Sequence, residues 1–305
     1  MKNILVITHS KDYTVTYLEK KYSEFFTLRL NIDQINSYQI NISDAYSNII
    51  TDHQDIALND VHAVYYRKVA YPDLSDYEMG LRPLIAKELL ALTEGLAETL
   101  GERCLTRPSL LKRAENKIVQ LKVAKKIGFR LPQSLVTNYD QSAQAFVKSQ
   151  TSIVKPIATG RLITSEQEYI LQTNLVPDTV LPVNLSHCPS YFQSYVSKDY
   201  EVRVTIVDRQ VFAVKIQADN HIDWRKSHAK NIYEVIDIPK VIIQQCLEFM
   251  REFGLSFGAF DFIVSNGEYY FLEVNPNGQW LWLEEKLDLK ISDAIVHFLL
   301  EDGDH

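Results

Sequence analysis

One stretch near the C-terminus, residues 258–277, places acidic and amide side chains where β-strands normally carry apolar ones. It runs Gly-Ala-Phe-Asp-Phe-Ile-Val-Ser-Asn-Gly-Glu-Tyr-Tyr-Phe-Leu-Glu-Val-Asn-Pro-Asn. The Asn266-Gly267 pair predicts a turn, so the stretch should fold as two antiparallel strands. Asp, Glu and Asn are depleted in strands, and Asp261, Glu273 and Asn275 therefore require a chemical explanation. Because Glu273 and Asn275 are two residues apart, their side chains share one face.

Two carboxylates and one amide carbonyl make an oxygen-only ligand set. Such a set suits Mg²⁺ held against nucleotide phosphates, whereas the alternative is an edge hairpin whose acidic side chains are solvated. The hairpin register bears on this choice. A two-residue loop pairs Asp261 with Leu272, while a three-residue loop pairs Asp261 with Glu273. A shared metal site therefore predicts the loop of odd length.

Composition narrows the possible classes of protein. A chain of 305 residues with 46% hydrophobic content is long enough for two or three lobes with their own cores. A net charge of −7 argues against a nucleic-acid partner. No apolar run approaches the roughly 20 residues of a membrane span, and the N-terminus lacks the pattern of a signal peptide. The dispersed cysteines, Cys104, Cys188 and Cys246, show no zinc or disulfide spacing, which predicts a cytoplasmic location.

Hydrophobic patterning predicts an α/β protein with three lobes, at residues 1–106, 107–190 and 191–305. The first lobe should hold two strands and two helices, and Arg107-Pro108 marks its end. Its predicted elements are strands at 4–8 and 61–67 and helices at 13–26 and 83–100.

The second and third lobes are predicted from the same patterns. A single helix from Ser109 to Ile127 should open the second lobe, and Gly128 should end that helix. The third lobe should contain several strands, the hairpin and two helices. These are strands at 191–196, 201–207 and 211–217 and helices at 239–253 and 291–300.

Two lysines are candidates for binding phosphate. Lys117 falls within the predicted helix, and Lys155 ends an apolar strand, where its compact charge can lie beside an anion. The alternative for each is an ordinary lysine whose stem covers apolar surface. Thr159-Gly160 follows as a possible phosphate-covering loop. Because no Walker-type loop or dinucleotide motif occurs, an ATP site here requires another architecture.

Other polar residues have two interpretations each. Glu201 and Arg203 share a strand face, where Glu201 can accept from a ribose hydroxyl and Arg203 can clamp a developing negative charge. A solvated ion pair across strands is the alternative. His221 and His228 lie in a polar segment with Asp223-Trp-Arg-Lys226, which either contacts substrate or is merely solvated. The histidines form no convincing metal set, and no nucleophile elbow is visible.

The order of these candidate features along the chain resembles that of the ATP-grasp family. A lysine on a helix comes first, followed by a lysine at a strand end, a strand with Glu-x-Arg and a strand with Glu-x-Asn. The segment at 271–284, Phe-Leu-Glu-Val-Asn-Pro-Asn-Gly-Gln-Trp-Leu-Trp-Leu-Glu, is similar to the ATP-grasp maturases of microviridin-type peptides, the graspetides. Tyr66-Arg67 and Asp223-Trp-Arg225 also resemble that group. The likeness covers nearly the whole chain.

This resemblance implies an ATP-grasp fold that clamps ATP between the central and C-terminal lobes. It implies that Lys117 and Lys155 bind phosphates, that Gln193, Tyr195 and Val196 belong to an adenine hinge, and that Glu201 meets the ribose. Two Mg²⁺ would be held by Asp261, Glu273 and Asn275. Ser194 stands where many relatives carry an acidic hinge residue, which puts that side-chain contact in doubt.

The implied reaction is ATP-dependent ring closure in a ribosomal precursor peptide. A phosphoryl group converts an Asp or Glu carboxylate to an acyl phosphate, and a Ser or Thr hydroxyl, or a Lys amine, then displaces the phosphate. Arg203 is the candidate for stabilising the oxyanion. Arg67, Lys215, Asp223 and Arg225 are candidate substrate contacts.

The partner is expected to be a precursor peptide with an acidic core and a separate leader. Several basic residues would attract the core, and the strand pair at 201–217 would dock the leader; the residues are Lys198, Arg203, Arg209, Lys215, Arg225, Lys226 and Lys230. A homodimer is possible. The alternatives are an amino-acid ligase of the ribosomal-protein-modifying type and a non-catalytic ATP-binding module.

Overall fold

The computed structural model describes residues 2–26, 28–100, 103–158, 161–163, 168–170, 173–177, 179–218 and 231–301. Several residues named in the sequence analysis lie outside these ranges, and these are Thr159, Gly160, His221, Asp223, Arg225, Lys226, His228 and Lys230. The described chain is a mixed α/β structure with several sheets, as its sequence predicted.

The N-terminal lobe is built on a parallel sheet. In chain order the lobe contains β1 (Asn3–Thr8), α1 (Tyr13–Lys21), β2 (Leu28–Asn31), β3 (Gln39–Ile42), β4 (Ser47–Ile50), β5 (Asp55–Ala57), β6 (Val61–Tyr66), α2 (Arg82–Thr99) and β7 (Cys104–Leu105). The parallel strands have the order β2-β1-β6-β7, while β3, β4 and β5 form a small antiparallel sheet. The predicted helix at 13–26 is shorter than expected, because α1 ends at Lys21.

The predicted helix from Ser109 to Ile127 is instead two helices, α3 (Pro108–Ala114) and α4 (Lys117–Ile127). Asn116 breaks the helix, because its backbone is extended and its side chain accepts hydrogen bonds from the Ile118 and Val119 amides. This arrangement is an N-cap, which satisfies amides that have no partner within the helix. Gly128 ends α4 at φ +93, as predicted.

The central lobe contains β8 (Ser134–Thr137), α5 (Asp140–Ser149), β9 (Ser152–Lys155), β10 (Arg161–Ile163), β11 (Glu168–Ile170), β12 (Asn174–Leu175) and β13 (Ser190–Ser194). Its antiparallel sheet has the order β12-β9-β13-β8. Because β13 belongs to this sheet, the sheet includes residues as far as Ser194.

The C-terminal lobe contains β14 (Tyr200–Val207), β15 (Gln210–Gln217), β16 (Ile232–Val235), α6 (Lys240–Phe253), β17 (Phe257–Ser265), β18 (Glu268–Asn275), α7 (Leu281–Leu287) and α8 (Ile291–Leu300). Its antiparallel sheet has the order β16-β15-β14-β17-β18. The arrangement places β14, with Arg203, directly beside β17, with Asp261.

Two apolar cores join the lobes and position the site. One combines β1, α1 and β6 with α7, α8 and Trp280, so the C-terminal helices pack on the N-terminal sheet. The other packs α4 with α6 and the C-terminal sheet, so α4 lies beside β18. Among the described helices, none has the length and apolar character needed to cross a bilayer.

Candidate functional site

The hairpin of β17 and β18 brings Asp261 opposite Glu273, as a shared site requires. The predicted odd-length loop is wrong, because Ser265 pairs with Glu268 around a two-residue turn. Asn266 and Gly267 have φ of +50 and +78, the paired positive values of a tight hairpin turn. A bulge corrects the register instead: Phe262 pairs with Phe271, and Leu272 is the extra residue before Glu273.

Asp261 lies at the centre of a buried polar cluster. Its side chain is 6% exposed, and Arg203 Nη1 lies 2.8 and 2.9 Å from its two carboxylate oxygens. The Asn275 amide also donates to Asp261 Oδ2 at 3.0 Å. The guanidinium therefore supplies the positive charge that a buried carboxylate requires, so Arg203 and Asp261 form an ion pair with little access to solvent.

Gly278 makes room for the Arg203 guanidinium. A Cβ at Gly278 would lie 2.7 Å from Arg203 Nη2, 2.9 Å from the Ala259 Cβ and 3.2 Å from the Asn275 Cβ. Distances under about 3 Å are too short for carbon. The glycine of the Asn277-Gly-Gln segment is therefore a packing requirement of this site.

Lys117 connects three elements at the mouth of the hairpin. It is the first residue of α4, and its Nζ lies 3.5 Å from Glu273 Oε2. The same Nζ donates to the Pro156 carbonyl at 3.1 Å. Gln120, one turn further along α4, holds the helix to β18 with hydrogen bonds to both the amide and the carbonyl of Val274. The helix thus fixes Lys117 beside a predicted metal ligand.

Lys155 is the last residue of β9 in the central sheet. Its buried Nζ donates to Gln193 Oε1 at 3.2 Å and lies 4.6 Å from the centre of the Tyr191 ring. Burial raises the pKa of Tyr191 to about 12, so this phenol stays neutral and can donate to a neighbouring group. The Gln193 side chain is therefore engaged with Lys155, and its backbone pairs with Ile153 of β9 and Ser134 of β8.

The remaining predicted contacts have protein partners in the structure. Tyr195 donates its amide to the Thr151 carbonyl at 2.8 Å and, with Val196, follows β13. Glu201 forms an ion pair with Lys198. Lys215 lies 3.5 Å from Glu234 and over the Tyr200 ring.

Arg67 is buried behind the site, 2% exposed, although the sequence suggested a substrate contact. Its guanidinium donates to Asp12 Oδ2 at 2.9 Å, to the Tyr65 hydroxyl at 3.0 Å and to Gln279 Oε1 at 3.2 Å. Trp280 donates from its indole to the same Tyr65 hydroxyl. These contacts tie the N-terminal sheet to the segment that follows β18.

A cavity of about 860 Å³ opens between these elements. It is lined by Lys117, Arg203, Glu273 and Asn275 among the predicted residues. Sequence reasoning missed several other lining residues, which are Lys68, Lys112, Glu115, Gln120, Gln279 and Trp282. Lys68 directly follows Arg67, whose resemblance to a known motif was the one signal that this segment contributes to a site.

Comparisons with known proteins place this geometry in a family. Residues 3–109 match the family model described as the MvdD pre-ATP grasp domain, while comparison with curated proteins gave no match. A RiPP-associated ATP-grasp ligase from Chryseobacterium gregarium, solved in complex with ADP and a leader and core peptide, is 26% identical, with a TM-score of 0.87. The alignment covers 100% of this chain and 98% of that one.

Macrocyclase MdnB from Microcystis aeruginosa MRC is 30% identical, with a TM-score of 0.82, over 99% of this chain and 100% of that one. The chain belongs to the graspetide-type ATP-grasp ligases. This ATP-grasp ligase is also similar to macrocyclase MdnC from the same organism, solved with precursor peptide MdnA. The identity is 27% and the TM-score 0.87, over 98% of this chain and 100% of that one. The expected ATP-grasp fold is confirmed.

The donor set of this ATP-grasp ligase fits Mg²⁺. The described residues hold no group of three His, Cys, Asp or Glu side chains arranged for a metal. The predicted set instead has two carboxylates and one amide, all oxygen donors, as a hard cation prefers. Asp261 and Glu273 are paired across the hairpin, and each already faces a cation, Arg203 or Lys117. Positive charge therefore stabilises both carboxylates at this position.

Proposed function

We propose that the protein closes rings in a ribosomal precursor peptide, with ATP consumed for each bond. The enzyme would activate Asp or Glu side chains as acyl phosphates, and Ser or Thr hydroxyls, or Lys amines, would displace the phosphate to form esters or amides. One observation carries the proposal. The chain aligns over its full length with a ligase whose structure contains ADP together with leader and core peptides.

The cavity supports the roles of Lys117 and Arg203, which line it, and the alignment with an ADP-bound ligase supports the others. Lys117 and Lys155 would bind phosphates of ATP as compact cations, and backbone groups from Gln193 to Val196 would meet the adenine. Glu201 would accept from the ribose. Arg203, which lines the cavity, would stabilise the oxyanion that forms when the nucleophile attacks the acyl phosphate.

Asp261, Glu273 and Asn275 would hold Mg²⁺, and we propose that two ions bind there. When bound, the metal neutralises phosphate charge and polarises the transferring group. Asn275 now donates its amide to Asp261. To serve as a ligand it would turn its amide oxygen toward the ion, which requires only a rotation about the side chain.

The substrate would be a peptide with an acidic core and a separate leader. Arg67, Lys215, Asp223 and Arg225 remain proposed substrate contacts, with Arg67 acting through Gln279. The strand pair β14–β15 is the proposed leader surface. The three lobes, with boundaries near 106 and 190, would enclose nucleotide and core peptide between the central and C-terminal lobes.

A cytoplasmic location and a homodimer complete the proposal. The three cysteines are free thiols, as suits a reducing compartment. At the start of α2, Met79, Leu81 and Leu84 are 82%, 45% and 53% exposed, and apolar exposure of this kind supports association. Light scattering at rising protein concentration would measure the oligomeric state.

The test is mass spectrometry of the precursor peptide encoded beside the gene, after incubation with enzyme, ATP and Mg²⁺. Loss of one water per ring supports the proposal. Addition of a free amino acid, seen as a mass increase when glutamate is supplied, would establish the amino-acid ligase alternative. Binding of ATP with no turnover on any peptide would establish the non-catalytic module.

A further inference from the structure

The cavity carries more positive than negative charge. Four cationic and two anionic side chains line it, and these are Lys68, Lys112, Lys117, Arg203, Glu115 and Glu273. A cleft with an excess of one sign attracts and orients ligands of the other sign. The four cationic side chains differ, however, because two of them already form ion pairs with carboxylates of the protein.

Lys117 and Arg203 have ionic partners within the site. Lys117 lies 3.5 Å from Glu273, and Arg203 lies 2.8 Å from Asp261. Within the described part of the chain, Lys68 and Lys112 form no ion pair within 4.0 Å. Of these two, only Lys68 comes from the N-terminal lobe.

The fold places Lys68 at a position suited to a ligand. It is the second residue after β6, at the carboxyl edge of the parallel sheet, where open α/β sheets bind their ligands. Its neighbour Arg67 is fixed by an amide hydrogen bond to the Ile7 carbonyl at 2.9 Å and by the ion pair with Asp12. The backbone that carries Lys68 is therefore held rigidly.

The electrostatic surroundings favour an anion at this position. Burial lowers the pKa of Lys68, and the charges of Arg67 and Arg203 lower it further, while Asp12 and Glu115 act in the opposite direction. Glu115, which lines the same cavity, has a pKa raised by burial and partly lowered again by Lys68. An anion beside Lys68 would therefore relieve repulsion between cations.

From this placement, and resting on the proposed function, we propose that Lys68 binds the peptide carboxylate that is to be phosphorylated. The ammonium group attracts the Asp or Glu side chain of the core before activation, and the negative charge of Glu115, which lines the same cavity, disfavours a carboxylate beside that residue. Lys68 thereby selects acidic side chains over their amides.

The first test compares steady-state kinetics of the wild type, Lys68→Met and Lys68→Arg. Methionine keeps the length of the stem and removes the charge. We expect KM for the precursor peptide encoded beside the gene to rise at least about tenfold, equivalent to ~1.4 kcal/mol. KM for ATP should change less than about twofold, and Lys68→Arg should recover most of the loss.

Lys126→Met is the matched control, because Lys126 is exposed on α4 and pairs only with Glu252 among the described residues. It should behave as the wild type. An unchanged peptide KM in Lys68→Met, or a tenfold rise that appears in Lys112→Met instead, would overturn the proposal. Should the methionine variant fail to fold, Lys68→Gln provides the same comparison.

A binding experiment isolates the carboxylate. The affinity of ADP-bound enzyme is measured for the precursor and for a version whose core Asp and Glu are replaced by Asn and Gln. The wild type should prefer the acidic peptide, and Lys68→Met should bind both equally. A preference that persists in Lys68→Met contradicts the inference. The proposed function itself fails only if the wild type forms no ring, so the two failures are distinguishable.

Discussion

At the scale of single residues, close packing around Arg203 decides what the site can tolerate. Arg203 is held between Asp261 and the segment that follows β18, and Gly278 leaves no room for a further atom beside the guanidinium. The sequence predicted roles for both Arg203 and Asp261. It could not show that they form an ion pair, because that contact depends on the pairing of β14 with β17.

Gly278→Ala should displace Arg203 and lower activity. The new Cβ would lie 2.7 Å from Arg203 Nη2, and an overpacked site of this kind typically loses about 1–3 kcal/mol of stability. Gly95→Ala in α2 is the control, since a Cβ there meets nothing within 4 Å, and alanine should stabilise the helix by ~0.5–1 kcal/mol. Turnover and urea unfolding of both variants check this, and full activity in Gly278→Ala would refute the packing argument.

The Asp12–Arg67 ion pair should make stability depend on pH. Burial raises the pKa of Asp12, but the charge and hydrogen bonds of Arg67 outweigh it and hold the pKa below 3.8. Because the folded-state pKa is depressed, the carboxylate stabilises the fold above its unfolded pKa, and this contribution is lost as pH falls through the folded value. Asp12→Asn leaves Arg67 buried without its counter-charge, which should cost about 3–5 kcal/mol near neutral pH.

Urea unfolding near neutral pH and in acid measures this effect. The difference between wild type and Asp12→Asn should shrink in acid, where the wild-type carboxyl also becomes neutral. Asp76→Asn, at an exposed position, serves as the control and should change stability little. A difference of the same size at both pH values would show that Asp12 acts by packing rather than by charge.

At the scale of elements, the structure keeps the predicted pairing of Asp261 with Glu273 but reaches it differently. The Asn266-Gly267 pair strongly favours a two-residue turn, which by itself would pair Asp261 with Leu272. A bulge at Leu272 shifts the strand register by one residue, so that Asp261 pairs with Glu273. A bulge has no clear sequence signal. The sequence also shows no clear sign that the predicted helix at 109–127 is divided. Asn116 lies within a continuous helical pattern, and it can cap α4 only because α3 ends before it.

Asn116→Ala should loosen the helix start that positions Lys117. Loss of an N-cap costs ~0.5–2 kcal/mol, and a frayed first turn would move the lysine away from Glu273. We expect lower stability and a higher KM for ATP. Asn116→Ser, which preserves a side-chain acceptor, should restore both quantities. If the alanine and serine variants are equally impaired, the cap is not the cause.

At the scale of the whole molecule, the N-terminal and C-terminal lobes share one core. Trp280 is fully buried, and its indole donates to the Tyr65 hydroxyl, 215 residues away in the chain. Arg67 and Gln279 are joined across 212 residues. Sequence patterns predict local elements, but contacts over such separations depend on how the finished elements pack, so the sequence did not predict that Arg67 belongs to this junction.

An isolated fragment of residues 1–106 should therefore fail to fold stably. Removing α7, α8 and Trp280 exposes the apolar face of β1 and β6 that these elements cover in the intact protein. Circular dichroism and urea unfolding of the fragment should show no cooperative transition, whereas the full chain unfolds with the N-terminal sheet and the C-terminal helices together. A fragment with its own sharp transition would show that the first lobe is independent.

The central claim is that the hairpin carboxylates support ATP-driven ring closure in a peptide. The most direct measurement counts ADP released and water lost from the precursor peptide, by chromatography and mass spectrometry of the same reaction. The wild type should release one ADP for each water lost. Glu273→Gln, which keeps the size of the side chain and removes its charge, should do neither while unfolding at the wild-type temperature. Rings formed without ADP release, or undiminished ring formation by Glu273→Gln, would contradict the account.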